Sequence, residues 1–286
     1  MTTATAPGAT SEARRGLVQL RPARVAYWRA FVALLQRDMH VLLASWPLFI
    51  IRAVMQPLLL MFVFTYVFPK IGQGVGGGGG EEAFTATLVA GVVGLAIVFQ
   101  GIQAVALPLV QEFGYSKEIE DRVLAPLPTK MVGIQKIVTG MVNGLIAAVL
   151  VFPIAAVVPA TPVDLKVHWP VLLTLAPLAG WVAAALGLVL GTRVAPQNVS
   201  YLFALVVLPL TFLGAIYYPW QTLSAIRWLQ ILVLINPLVY MCEGFRAALT
   251  TGVPHMSLWA VYGGLAVFAV VLTWVGLDGF SKRTTS

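Results

Sequence analysis

Long apolar stretches, separated by short charged segments, make up most of this 286-residue sequence. Six of them have a length close to the roughly 20 residues with which a helix crosses a bilayer. They cover residues 46–68, 84–110, 131–158, 171–191, 199–217 and 258–276. The pattern predicts an all-α polytopic membrane protein with six transmembrane helices, in a domain that covers residues 46–280.

Two shorter apolar patterns flank these spans. In residues 24–45, large apolar side chains from Val25 to Leu42 recur every three or four positions, with arginines between them. This spacing predicts an amphipathic interfacial helix, and the alternative is a packed helix of a soluble domain. Residues 226–239 are too short for a comfortable crossing and are broken by Asn236-Pro237, which predicts a re-entrant external helical hairpin before the last span. Residues 1–23 and 281–286 are predicted to be cytoplasmic tails, the first of them disordered.

Composition and charge support a membrane protein and give it an orientation. Hydrophobic residues make up 59% of the chain, charged residues 10%, and mean hydropathy is +0.89. Lysine and arginine are concentrated on one side of the predicted spans, which places both termini in the cytoplasm. Thirteen lie on that side and four, Lys70, Lys166, Arg227 and Arg246, on the other. The net charge of +7 is therefore explained by membrane topology and gives no reason to expect nucleic acid.

The sequence contains little catalytic or ion-coupling chemistry. The five glycines Gly76–Gly80 are not followed by Gly-Lys-Ser/Thr, so they predict a flexible external linker and not a phosphate-binding loop. All 11 acidic residues fall outside the centres of the predicted spans, and Arg52 is the one ionisable residue expected within the membrane. Arg52 is either a snorkelling anchor or a substrate-contacting charge. Cys242 is the only cysteine, the three histidines lack ligand spacing, and no metal site is expected.

The charged segment between the second and third spans predicts a short cytoplasmic amphipathic helix at about residues 113–126. Tyr115, Ile119 and Val123 repeat every four positions, while the charged residues lie off that stripe. Ser116 is placed to cap the helix, and Pro126 ends it. The residues alone leave two interpretations open, a solvated loop helix and a docking helix for a cytosolic partner.

Two motifs, in order and on the expected sides of six spans, resemble the permease subunit of type-2 ABC exporters. Glu120 and Pro126 match the coupling-helix positions, although residues 117–119 read Lys-Glu-Ile where many members have Gly-Thr-Leu. After the fifth span come two prolines around a small-residue turn, then an Asn-Pro pair and a distal arginine: Pro209, Gly214, Pro219, Asn236-Pro237 and Arg246.

The resemblance implies a transport subunit of the inner (cytoplasmic) membrane that cannot hydrolyse ATP itself. Two copies of a cytosolic ABC ATPase would bind ATP and Mg and supply the energy, and this chain would bind no cofactor. A second permease copy, or a sister permease, would complete the pathway. The export substrate would be an amphipathic drug, natural product or lipid, or alternatively a lipid-linked polysaccharide; a secondary transporter, a channel and a membrane enzyme are the competing classes.

The resemblance also implies roles for particular residues. Glu243 and Arg246, spaced i, i+3, are expected to pair in a structural role near the external surface. Residues expected to contact the ATPase are Tyr115, Lys117, Ile119, Glu120, Asp121, Arg122 and Val123 of the coupling helix, with Arg29 and Arg37 of the interfacial helix. The candidates for the substrate pathway are Phe99, Gln100, Gln103, Phe203 and Phe212; the alternative for each is a lipid-facing or packed position.

Overall fold

The computed structural model describes residues 23–71, 80–113, 128–159, 165–194, 196–198 and 203–285. All regular structure in these ranges is helical, as the hydropathy pattern predicted. The first five helices are α1 (Ala23–Ala44), α2 (Trp46–Lys70), α3 (Gly80–Gln111), α4 (Thr129–Val157) and α5 (Trp169–Arg193). Four shorter or later ones follow: α6 (Leu208–Phe212), α7 (Arg227–Leu232), α8 (Pro237–Leu249) and α9 (Leu258–Thr285).

Five helices, α2, α3, α4, α5 and α9, are long and apolar enough to cross a membrane. Each agrees with a predicted span to within two residues at either end, except that α3 begins four residues before its predicted start and α9 continues well beyond the predicted end at residue 276. α2 is α-helical to Met61, passes through a π-helical segment at Phe62–Val67, and ends at Lys70. The all-α polytopic fold is therefore confirmed.

The predicted fifth span, residues 199–217, ends earlier than its hydropathy suggested. A π-helical turn at Phe203–Val207 leads into α6, which stops at Phe212. Ala215 then adopts a left-handed conformation with φ of 54°, and its carbonyl oxygen accepts a hydrogen bond from Arg246. Arg246 also donates a hydrogen bond to the carbonyl oxygen of Ile216. Both carbonyl groups therefore have hydrogen-bond donors although they lie outside a helix.

The segment before the last span is a sharply bent helix pair. Residues Arg227–Ile235 and Pro237–Leu249 meet at an angle of 98°, the geometry of a broken span or a re-entrant loop. Asn236 stabilises the bend, because its side chain accepts a hydrogen bond from the Leu238 amide at 2.9 Å and donates one to the Leu210 carbonyl at 2.7 Å. The second limb continues ten residues beyond the predicted end at residue 239.

α3 is the central helix of the bundle and packs against α4, α5 and α8. Its close crossings with α4 and α5 depend on glycine. A Cβ atom at Gly187 of α5 would lie 2.8 Å from the Ile102 carbonyl oxygen, and one at Gly140 of α4 would lie 3.1 Å from the Gly101 oxygen. Small residues at such crossings let helix backbones approach closely, which is how helices associate in lipid.

α1 packs against one end of the helical bundle, beside the start of α4 and the end of α9. Tyr27, Phe31 and Leu34 pack on a buried cluster that includes Val132 of α4 and Phe280 of α9. Trp28, which the spacing placed on the same stripe, is 65% exposed. The helix is confirmed, whereas its place at the membrane surface stays a prediction.

Candidate functional site

A large open cavity lies between α2 and α3. Its volume is about 540 Å³, and its polar lining consists of Arg52 and Gln56 from α2, Gln103 from α3, and the Tyr217 side chain. The remaining lining is apolar or aromatic and includes Phe64 of α2 and Phe99 of α3. We call this space the upper cavity.

Two further cavities continue from it along the same face of α3. A middle cavity of about 290 Å³ shares Arg52 and Gln103 with the upper one. A lower cavity of about 310 Å³ shares Ser45, Gln111 and Asn143 with the middle one, and reaches Asp38, Glu112 and Lys136. The three cavities therefore form a series that extends from Asp38 of α1 to Tyr217.

The predicted pathway residues are distributed unevenly over this series. Phe99 and Gln103 line the upper cavity, and Gln100 lines the middle one, where it is buried. Phe212 is 66% exposed and lines none of the three cavities. Phe203 begins a π-helical turn, but its side chain lies outside the described part. Gln56 was missed, although its position four residues after Arg52, on the same helix face, was a readable signal.

A buried ion-pair cluster closes the lower end of the series. Lys136 Nζ lies 2.9 Å from Glu112 Oε1 and 3.9 Å from Asp38 Oδ2, and the lysine side chain is only 4% exposed. Gln135 donates to Asp38 Oδ2 at 2.9 Å and to Thr139 at 2.9 Å. The cluster thus joins α1, α3 and α4. Lys136 lies near the start of the α4 candidate span, and it also lay within the predicted span 131–158.

The cluster joins the two helices between which the predicted coupling segment lies in the chain. Glu112 directly follows α3, and Lys136 lies in the second turn of α4. The coupling residues Tyr115, Lys117, Ile119, Glu120, Asp121, Arg122 and Val123 lie between them, outside the described residues. Arg29 and Arg37 are exposed on α1, and Arg37 lines the lower cavity.

A second buried pair organises the bent helix pair. Arg246 Nη1 lies 2.5 Å from Glu243 Oε1, and both side chains are completely buried. Glu243 also accepts hydrogen bonds from the amides of Trp220 and Met256, at 2.7 and 2.6 Å. The predicted pairing is confirmed. Through Glu243, α8 is connected to Trp220, which precedes the helix pair, and to Met256, which follows it.

Comparison with known proteins agrees with this architecture. The family model described as ABC-2 type transporter matches residues 29–250. The inner membrane transport permease YadH of Escherichia coli K12 is 26% identical over 249 residues, which cover 85% of this chain and 91% of the relative. YadH of Shigella flexneri matches with the same identity and coverage. Since the family match spans most of the sequence, this chain belongs to the ABC-2 type transporter family.

Proposed function

We propose that this chain forms the translocation pathway of an ATP-driven exporter of amphipathic small molecules or lipids. The observation that carries the proposal is the series of three cavities along α3, which begins at the Asp38–Glu112–Lys136 cluster and ends at Tyr217. Family membership supplies the transporter class. The mixed lining of aromatic rings, amides and one cation suits an amphipathic molecule better than an ion.

The energy in this proposal comes from a separate cytosolic ABC ATPase, present in two copies, that binds ATP and Mg. Residues 113–126 form the coupling helix, with Ile119 and Tyr115 in a groove of the ATPase and Glu120 in polar contact with it. The buried cluster supports this role. Because Glu112 and Lys136 link the helices on either side of the segment, and Asp38 adds α1, a displacement of the segment would act on α1, α3 and α4 at once.

A second permease copy completes the pathway in this proposal, as a two-fold homodimer or with a sister chain. The α2 face supports such pairing, because it leaves large apolar side chains exposed: Trp46, Leu48, Ile51, Met55, Leu59 and Phe62. Both termini lie in the cytoplasm. Export of a lipid-linked polysaccharide is the alternative substrate class within the same architecture.

The test is co-purification with the ABC ATPase encoded nearest to this chain. We expect a stable complex in mild detergent for the wild type, and its loss in a variant carrying Ile119→Asp and Glu120→Arg. A matched control, Ile226→Asp with Thr251→Arg, makes similar changes at exposed positions on the opposite predicted side. The proposal is wrong if no ATPase binds, or if the coupling variant binds as well as the control.

A further inference from the structure

Arg52 is a charged side chain inside a candidate membrane span. It is the seventh residue of α2, so it lies roughly 9 Å along the helix from Trp46, at a rise of about 1.5 Å per residue. Ionisable residues at such depths are costly, normally face a partner or a water-filled cavity, and mark binding sites and pathways. The environment of Arg52 therefore needs a specific explanation.

No acidic side chain neutralises Arg52 within the described ranges. The other cations that lie within the helical bundle have partners there: Lys136 has Glu112, Arg246 has Glu243, and Arg283 donates to three backbone carbonyls. Arg52 makes no hydrogen bond or ion pair with any described residue, and it borders both the upper and the middle cavity. Its charge is thus available to a molecule in these spaces.

The rest of the lining complements one acidic group on an apolar body. Among the described residues, neither the upper nor the middle cavity is lined by Asp or Glu. Gln56 and Gln103 add side-chain amides that can donate to carboxylate or phosphate oxygens. Beyond them, Leu60, Phe64 and Phe99 provide an apolar wall. A volume of about 540 Å³ is in the range of sites for drug-sized ligands.

We infer that the upper cavity binds an anionic amphiphile, whose acidic group contacts Arg52 between Gln56 and Gln103. This inference rests on the proposed function and names the substrate class of the same pathway. Arginine binds carboxylate and phosphate through charge-assisted, often bidentate hydrogen bonds, whereas a cationic amphiphile would meet like charge. An anionic lipid of the bilayer and an anionic natural product share this chemistry.

The experiment measures ligand binding to the full-length chain in phosphatidylcholine nanodiscs, without an ATPase. The probe is a dansyl-labelled undecanoic acid, compared with its neutral methyl amide. We expect the acid to bind about tenfold more tightly than the amide, equivalent to about 1.4 kcal/mol. Arg52→Gln removes this preference and Arg52→Lys retains most of it. Arg227→Gln, an exposed arginine outside the cavities, leaves it unchanged.

Equal preference for the acid in wild type and Arg52→Gln would overturn the inference and leave Arg52 as a snorkelling anchor. Gel-filtration profiles and thermal unfolding of each variant separate loss of binding from loss of folding. A second set of nanodiscs contains phosphatidylglycerol. Displacement of the probe there identifies the lipid as the source of the anion, and unchanged binding identifies a non-lipid anion. Because no ATPase takes part, failure here leaves the co-purification result standing, and the reverse also holds.

Discussion

At the scale of residues, three cations within the helical bundle lie in different environments. Arg246 is completely buried against Glu243 and two backbone carbonyls, which makes it structural. Lys136 is almost as buried, but its two partners come from α1 and from the end of α3. Arg52 is exposed to two cavities and has no partner among the described residues. Removing each charge should therefore have a different effect.

The buried lysine provides the first prediction. Lys136→Met removes the ammonium group that pairs with Glu112 and lies near Asp38, and removal of one partner of a buried ion pair costs about 3–5 kcal/mol. We expect the variant to unfold at clearly lower temperature than wild type in detergent, measured by the loss of the monodisperse gel-filtration peak after heating. Lys282→Met is the matched control, because its pair with Asp278 is exposed and worth at most about 1 kcal/mol. Equal midpoints for the two variants would contradict the structural role of the cluster.

The sequence revealed these pairs to different degrees. Glu243 and Arg246 are three residues apart on one helix, so their pairing followed from helical spacing. Asp38, Glu112 and Lys136 are brought together by three helices, and no spacing rule relates their positions in the chain. The predicted span 131–158 contained Lys136, but hydropathy gives no information about which side chains pair with it. The side chains that line the cavities beside Arg52 could not be predicted from the sequence, because they depend on how α2 packs against α3.

At the scale of elements, hydropathy and length predicted five spans closely, because each is one continuous apolar helix. They failed for the segment after α6, where the residues stay apolar but the helix ends at Phe212. The cause is a tertiary contact: Arg246, distant in sequence, binds the carbonyls of Ala215 and Ile216. The bend at Asn236 was visible in the sequence, because proline and an asparagine cap are local signals.

Close helix packing provides the second prediction. Gly187→Ala places a methyl group 2.8 Å from the Ile102 carbonyl oxygen and 3.0 Å from its Cα atom, so α5 must move away from α3. We expect a loss of about 1–3 kcal/mol, the usual cost of overpacking, seen as a lower thermal unfolding midpoint. Gly263→Ala on α9 is the control, since no atom lies within 4 Å of its added methyl group. Equal thermal unfolding midpoints for the two alanine variants would contradict the close packing of α5 on α3 at Gly187.

At the scale of the whole molecule, the proposed account requires one orientation in the membrane. The lower cavity, the buried cluster and the predicted coupling segment must face the cytoplasm, where an ABC ATPase binds. The distribution of lysine and arginine supports this orientation, because Lys282 and Arg283 at the end of α9 belong to the larger set of cations that is predicted to be cytoplasmic.

Topology reporters provide the third prediction. Green fluorescent protein fused after Ser286 should fluoresce, and alkaline phosphatase at the same position should be inactive, because both report a cytoplasmic C-terminus. The same two reporters inserted after Gly77, in the predicted external linker, should give the opposite pattern. Phosphatase activity at the C-terminus would place the coupling segment on the wrong side for an ATPase.

The central claim is that nucleotide binding by the partner ATPase changes the pathway in this chain. The most direct measurement is the alkylation rate of a single introduced cysteine, Met55→Cys, which lines the upper cavity and is 50% exposed in the wild type. The native Cys242 is fully buried and serves as the slow background. Trp259→Cys on the outer face of α9, 90% exposed, is the control. The account predicts that ATP with vanadate changes the rate at Met55→Cys but not at Trp259→Cys, and that Ile119→Asp with Glu120→Arg abolishes the change. An unchanged rate at Met55→Cys in a complex that hydrolyses ATP would contradict it.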